Sequence, residues 1–352
     1  MSSWKDNVRK VEPYVPGEQP KIKNVIKLNT NENPYPPSPK VEEIIKNADC
    51  SLLRKYPDPA CSELVNELSK TYGVDPDMIF VGVGSDDVLA TCFMTFFCSD
   101  KPVLFPDVTY SFYDVWADLF NIPYERVPLD GDFNINTADY RKENGGIIFP
   151  NPNAPTGIAL ELSDIEEIVK ANKESVVIVD EAYVDFGTRS ALGLLDKNEN
   201  LLVVQTFSKS RSLAGLRIGF AIGHKEMISY LWAVRNSFNS YTLNSLATAA
   251  GAAALRDKEY FEKTVNDIIN TRERSKKRFK ELGFEFGDSK ANFIFVKHPT
   301  VSAKELFSEL KENNIFVRYF NKERIDDHLR ITIGTDEEMD RLFEFLENKL
   351  RR

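Results

Sequence analysis

Long apolar runs are missing from this chain of 352 residues, so no helix of about 18 or more apolar residues is available to span a membrane. Histidine occurs three times (His224, His298, His328), and the four cysteines (Cys50, Cys61, Cys92, Cys98) form no CxxC pair. Neither a metal site nor a disulfide framework is therefore expected. Positive charge is in deficit: 45 Lys and Arg against 54 Asp and Glu leave a formal net charge of −9. That balance argues against a nucleic-acid surface, because phosphate-backbone binding relies on clustered cations. It does not exclude a small anionic substrate, which one or two arginines in a cleft can hold. The opening MSSWKDNVRK has charges but no apolar stretch behind them, so it does not read as a secretory signal and a cytoplasmic location is expected. No internal repeat or low-complexity tract is present.

What is there fits a soluble globular protein. Hydrophobic residues make up 42% and charged residues 28% of the chain, and the length allows two domains. From 78 to 204, short β-branched or aromatic runs (MIFVGVG, PVLF, GIIF, VVIVD, LLVV) alternate with helical patterns such as DDVLATCFMTFF and SDIEEIVKAN. The alternation predicts an α/β layer with a mostly parallel, buried sheet. After about Ala254 the composition changes. A charged amphipathic helix over 255–282 precedes strand-like NFIFV, helical AKELFSELKEN, strand-like FVRYF and LRITI, and a last helix, which together suggest a smaller α+β domain. The proline-bearing first thirty residues are expected to be irregular and to wrap over the body.

Four segments stand at the C-terminal ends of the expected strands, where open α/β sheets place their ligands. In GVGSDD, Gly82 and Gly84 allow a tight turn, and Ser85 and Asp86 open a helix whose free N–H groups attract an anion; an ordinary capped turn would look the same. NPNAPTG (151–157) fixes an unusual backbone path that can turn polar side chains towards a ligand. In VVIVDEAYVDF, Asp180 ends an apolar run, so its buried carboxylate needs a cation, either a distant arginine or a protonated ring nitrogen. In LLVVQTFSK, Lys209 is delivered to the end of a buried strand, where desolvation lowers its pKa and frees the amine as a nucleophile. Arg217 follows eight residues later in AGLRIG, offering a planar donor array for phosphate. An anion site, a buried acid, a nucleophilic lysine and a phosphate ligand together match pyridoxal 5′-phosphate.

SK-x-x-x-LAGLR-x-G, DEAY and N-P-x-x-P-T-G in this order resemble the fold-type I, aspartate-aminotransferase-like PLP-dependent transferases. PYVPGE (13–18), LNTNENPYPPSP (28–39) and RKYPDPAC (54–61) are similar to the N-terminal signature of the histidinol-phosphate aminotransferase family. The resemblance implies a large PLP-binding domain (30–250) with a mostly parallel seven-stranded sheet flanked by helices, and a small α+β domain made of 1–29 and 251–352. It implies that Lys209 holds the cofactor covalently and moves the substrate proton, that Asp180 keeps the pyridine nitrogen protonated, and that Tyr183 bonds the phenolic oxygen. Tyr110 would stack on the ring. Ser85, Asp86, Ser208 and Arg217 would hold the phosphate, with Tyr56 reaching in from a neighbouring subunit of a homodimer.

One departure concerns the N-P-N-N-P-T-G pattern of that family, whose second paired asparagine is Ala154 here. Either Asn153 turns in to replace it or Tyr183 acts alone, and the bound cofactor is expected to titrate at a higher pH than in relatives carrying the asparagine. Arg330, in HLRITIG, is expected to hold the substrate's anionic group; Arg318, Asn292 and Tyr35 are candidates to complete that pocket. Arg211 reads as a solvated charge. The implied reaction is ping-pong amino transfer between L-glutamate and imidazole-acetol phosphate in histidine biosynthesis. An aromatic-amino-acid aminotransferase or a threonine-phosphate decarboxylase of the same fold would share every cofactor residue. A catalytically silent cofactor-binding module is the alternative from another class.

Overall fold

The structure, a computed structural model, describes residues 3–21 and 24–351. Its first part runs β1 (Ile26–Lys27), α1 (Pro39–Lys46), α2 (Ser62–Tyr72), β2 (Ile79–Gly82), α3 (Gly84–Phe96), β3 (Val103–Pro106), α4 (Phe112–Phe120), β4 (Tyr124–Val127), β5 (Gly146–Pro150), α5 (Leu162–Ala171), β6 (Val177–Asp180), β7 (Leu201–Thr206) and β8 (Gly219–Gly223). Strands β2 to β8 make one sheet of seven, in the order β2-β8-β7-β6-β5-β3-β4. All its neighbours pair in parallel except β8, which runs against both β2 and β7. The sheet is therefore mixed but mostly parallel, and every position of β2, β3, β5, β6 and β7 is buried. Burial on both faces is what makes those strands continuous apolar runs.

Alternation along the strands divides the core. Ile147, Phe149, Val177 and Val179 face Leu64, Leu68, Ile165 and Ile168 on one side. Ile148, Ile178, Leu202 and Val204 face Phe93, Trp116 and Leu231 on the other, as the two-residue period of a strand requires.

The second part runs α6 (Lys225–Phe238), α7 (Ser245–Leu255), α8 (Lys258–Glu281), β9 (Glu285–Phe286), β10 (Phe293–Lys297), α9 (Ala303–Glu312), β11 (Ile315–Phe316), β12 (Arg318–Tyr319), β13 (Leu329–Thr332) and α10 (Asp336–Leu350). A four-stranded antiparallel sheet, β12-β13-β10-β9, carries its own core. The stretch FVRYF is not one strand: Phe316 pairs with Lys27 of β1, whereas Arg318 pairs with Arg330 of β13. The parallel β1–β11 pair attaches the segment before residue 28 to this smaller body. Helix α8 buries residues at three- and four-residue intervals, the spacing of one helical face. Its Arg272, 3% exposed, donates to the carbonyls of Phe186 (2.6 Å) and Ala291 (2.9 Å), so one buried cation ties the two bodies together. Among the described residues no helix is long and apolar enough to cross a membrane.

Candidate active site

The C-terminal ends of β2, β6 and β7 bring Ser85, Asp180 and Lys209 to one edge of the sheet. Asp180 is the last residue of β6 and only 4% exposed. Its Oδ2 accepts from the Tyr113 hydroxyl (2.9 Å) and its Oδ1 from the Ala182 N–H (3.2 Å). Burial outweighs those bonds and raises its pKa from 3.8 to about 6, a state that a cation placed against it would relieve. Lys209 lies three residues beyond β7, and its Nζ donates to the Thr30 carbonyl at 3.2 Å. Burial first, and then the positive charge of Arg330, lower its pKa from 10.5 to about 8, against the opposing pull of Asp86 and Glu32. Roughly a tenth of the amine is thus neutral at pH 7, against a negligible share for an ordinary lysine, and nucleophilic chemistry needs that form.

The anion cradle is built by close backbone approach. Helix α3 starts at Gly84, and Asp87 Oδ2 accepts from the Val83 N–H (2.9 Å), leaving the amides that follow free to point at a ligand. A Cβ on Gly219 would lie 2.3 Å from the Ser85 nitrogen, so this glycine lets β8 pass directly beneath the helix start. Gly84 has φ +82, and a Cβ there would sit 2.5 Å from Arg217 Nη2. Arg217, itself left-handed at φ 53, reaches Ser208 Oγ (3.4 Å) and Asp86 Oδ2 (2.9 Å). Asp86 also accepts from the Tyr110 hydroxyl (2.8 Å). Its carboxylate thus orients Arg217 and Tyr110, and its contribution to an anion is the backbone N–H.

Residues 29–33 form a strap through this edge. Asn29 O accepts from Arg330 Nη2 (2.9 Å), Asn31 Nδ2 donates to the Tyr183 hydroxyl (2.9 Å), and Asn33 Nδ2 donates to the carbonyls of Lys209 (3.0 Å) and Ser210 (3.2 Å). Arg330, between the rings of Phe293 and Phe320 at 5.4 and 5.6 Å, has a buried Nε without a hydrogen-bond partner. Among the described residues no carboxylate pairs with it. A half-buried guanidinium whose Nε is enclosed and unpaired calls for an anion from outside the chain.

Several candidates lie elsewhere than expected. Asn153 does not turn in: its amide donates to the Val108 carbonyl (2.9 Å) and Thr156 Oγ1 (3.1 Å) and accepts from Thr109 Oγ1 (3.2 Å), so the loop consumes it. Asn292 is fully buried; its Nδ2 donates to the Asn31 carbonyl (3.1 Å), supporting the strap, while its Oδ1 is buried without a partner. Tyr35 packs against the small-domain core, where burial and then the carboxylates of Asp267 and Asp336 push its hydroxyl up; those acids make it a poor anion ligand. Arg318 stands beside Arg330 across the sheet but bonds the arm carbonyls of Pro16 (3.5 Å) and Val15 (3.3 Å). Arg211 is not a solvated charge. It stacks on Phe261 at 4.0 Å and donates to the Ala254 carbonyl at 3.2 Å, fixing the lysine loop to α7. Tyr56 is 82% exposed and stacks on Tyr241 (4.7 Å), outside this chain's own cleft.

Three residues were not singled out in the sequence. Tyr113 lies three residues after Tyr110, in the first turn of α4, a proximity that could have flagged it. Tyr14 stacks on Phe112 at 4.2 Å, with its ring 6.5 Å from that of Tyr110, so the arm does lie over the site. Asn31 sits in the quoted NENPY, and its left-handed φ of 55 leaves no trace in composition.

The donor set fits PLP: a desolvated amine, a buried acid opposite, and a helix start joined by serine and arginine for a phosphate. Residues 23–346 match the Aminotransferase class I and II family. The chain is 53% identical over 343 residues to the histidinol-phosphate aminotransferase of Clostridium beijerinckii, covering 97% of this chain and 96% of that protein. It is 55% identical over 336 residues to the enzyme of the same name from Clostridium acetobutylicum, covering 96% of each. Among solved structures, histidinol-phosphate aminotransferase from Sinorhizobium meliloti in complex with pyridoxal-5′-phosphate superposes with a TM-score of 0.84 at 25% identity, over 92% of this chain and 90% of that one. This chain therefore belongs to the class I and II aminotransferases, in the histidinol-phosphate aminotransferase family.

Proposed function

We propose that this PLP-dependent aminotransferase moves an amino group between L-glutamate and imidazole-acetol phosphate, giving 2-oxoglutarate and L-histidinol phosphate by a ping-pong route. When bound, PLP supplies a carbonyl that condenses with amines and a cationic ring that withdraws electrons from the substrate Cα. The chain supplies the rest. Ser85, Ser208, Arg217 and the first amides of α3 would hold its phosphate, and Asp180 would keep its ring nitrogen charged. Lys209 would hold the cofactor and would take the Cα proton and return it, and its lowered pKa suits both roles. Arg330 would grip phosphate in one half-reaction and a carboxylate in the other, since a guanidinium donates to either bidentately.

The observation that carries the substrate assignment is Arg330, half-buried, with an enclosed and unpaired Nε and no carboxylate partner among the described residues. Replacing it by alanine is expected to lower kcat/KM for histidinol phosphate and for glutamate alike, by about 100-fold or more, with the cofactor's spectrum retained; steady-state kinetics on both substrates check this. The assignment itself is tested by adding histidinol phosphate to the yellow protein and following loss of its visible band. Release of carbon dioxide, or phenylpyruvate formation with no response to the phosphorylated amine, would overturn it.

We also infer a homodimer with shared sites. Leu53 and Tyr56 are 70% and 82% exposed, a large apolar surface for a loop that carries a proposed phosphate ligand. Arg235, wholly buried, bonds the Pro59 carbonyl (2.9 Å) and Thr242 Oγ1 (3.0 Å), joining that loop to the stretch bearing Tyr241. Mixing inactive Lys209→Ala and Tyr56→Ala proteins after mild dissociation is expected to restore about a quarter of the wild-type rate, because half the random dimers hold one complete site. No recovery would mean that Tyr56 serves no partner.

A further inference from the structure

Asn31, which is 1% exposed, is held in a clasp of hydrogen bonds beside Tyr183. The Asn31 N–H donates to Thr332 Oγ1 (3.0 Å), and the Thr332 hydroxyl donates back to Asn31 Oδ1 (3.0 Å). Asn292 Nδ2 holds the Asn31 carbonyl (3.1 Å). With Oδ1 engaged by threonine, Nδ2 is the atom left to face Tyr183, and it donates to the phenol oxygen at 2.9 Å. The backbone at Asn31, φ 55, is one that asparagine tolerates better than most side chains.

A tyrosine hydroxyl has one proton and can accept as well. Because Asn31 offers a donor, Tyr183 must spend its proton in another direction. The charged groups acting on Tyr183 are Arg330, Asp180 and Asp86, and Lys209 Nζ lies 5.8 Å from its ring centroid. Arg330 and the protonated form of Lys209 are donors only, and the Lys209 amine bonds the Thr30 carbonyl rather than the phenol. The carboxylates of Asp180 and Asp86 are already engaged by Tyr113, Tyr110 and Arg217. Among the described residues no acceptor takes the Tyr183 proton.

We propose that Asn31 is a positioning residue: clamped by Thr332, it forces Tyr183 to donate its hydroxyl proton into the cleft, at the phenolic oxygen of the cofactor. This rests on the PLP assignment and deepens it. Ala154 supplies no second donor, and Asn153 is consumed by its own loop, so the Asn31–Tyr183 pair is the device that stabilises the ionised oxygen. Thr332 and Asn292 belong to the small domain, so that domain sets the polarity of a bond made on the large one.

The test is a pH titration of the visible absorbance of the PLP-loaded protein without substrate. Asn31→Asp presents an acceptor and draws the Tyr183 proton away; its midpoint is expected to rise by about one pH unit and to coincide with that of Tyr183→Phe. Asn31→Gly keeps the left-handed backbone, removes the amide and leaves the phenol free to turn, so its rise is expected to be less than half as large. Thr332→Val, which cannot hold the amide in one orientation, is expected to fall between wild type and Asn31→Asp, and keeps the test decisive if the aspartate variant does not fold. Midpoints unchanged in all three variants, or equal shifts for aspartate and glycine, would overturn the proposal. Failure of the PLP assignment is separately visible, because wild-type protein would then take up no cofactor band at all.

Discussion

Lys209→Ala is expected to reduce turnover by at least about 1,000-fold, since it removes both the covalent anchor and the group that carries the substrate proton. Borohydride treatment followed by peptide mapping should label Lys209 in the wild-type protein and nothing in the variant. A variant retaining a tenth of the rate, or a label on another lysine, would remove this residue from the chemistry. Its apoprotein has a second expected property. Folded Lys209 loses its proton near pH 8 and the unfolded side chain near 10.5, so between those values the unfolded state binds more protons and stability rises with pH. Below about pH 8 the folded chain bears the full cost of a desolvated charge. Wild-type apoprotein should therefore gain stability from pH 8 to 10.5 in denaturant titrations, and the alanine variant should lose that part of the gain.

Asp180→Asn is expected to lower kcat by about 100- to 1,000-fold, because a neutral amide cannot hold a ring nitrogen in its charged form. The same change should make the apoprotein more stable. The folded carboxyl keeps its proton up to about pH 6, whereas the unfolded one loses it above 3.8. Folded protein thus binds the extra proton within that window, stability falls as pH rises through it, and the full penalty is present at neutral pH. About two units at about 1.4 kcal/mol each set the gain at no more than about 3 kcal/mol at pH 7, with little gain near pH 4. Urea melts of the two apoproteins at both values measure it. Equal stability at pH 7 would show that Asp180 is not buried as a charge. An acid and a base, each held in the form it least prefers, are the stability cost of a site prepared for its cofactor.

How far these features could be read in advance depended on the physics behind each. Strands β2, β3, β5, β6 and β7 were legible because double-sided burial makes them apolar throughout. β4 was not, since its edge position leaves Glu125 and Arg126 exposed, and β8 was hidden by the glycines at its ends. Lys209, Asp180 and Arg217 stood out because strand ends and tight turns leave local signatures. The strap could not be seen in that way. Asn29, Asn31 and Asn33 meet Arg330, Tyr183 and Lys209 across 152 to 301 positions of chain, and no local pattern encodes such a meeting. Asn153, Asn292 and Tyr35 were read by residue type, which is blind to where a side chain is packed and which partners it has already taken.

The antiparallel turn of β8 carries one more implication. Ser208, Lys209 and Arg217 all lie on the single excursion between β7 and β8, closed at its base by Phe207 N–H to the Ile218 carbonyl (3.0 Å) and within by Leu213 N–H to the Phe207 carbonyl (3.0 Å). The anchoring amine and the phosphate's arginine are thus set apart by a fixed length of peptide, like two jaws cut from one piece of metal. Homologous chains can lengthen most surface connections freely, but adding or deleting one residue here would change the gap between the jaws, and relatives that keep this chemistry should keep that length.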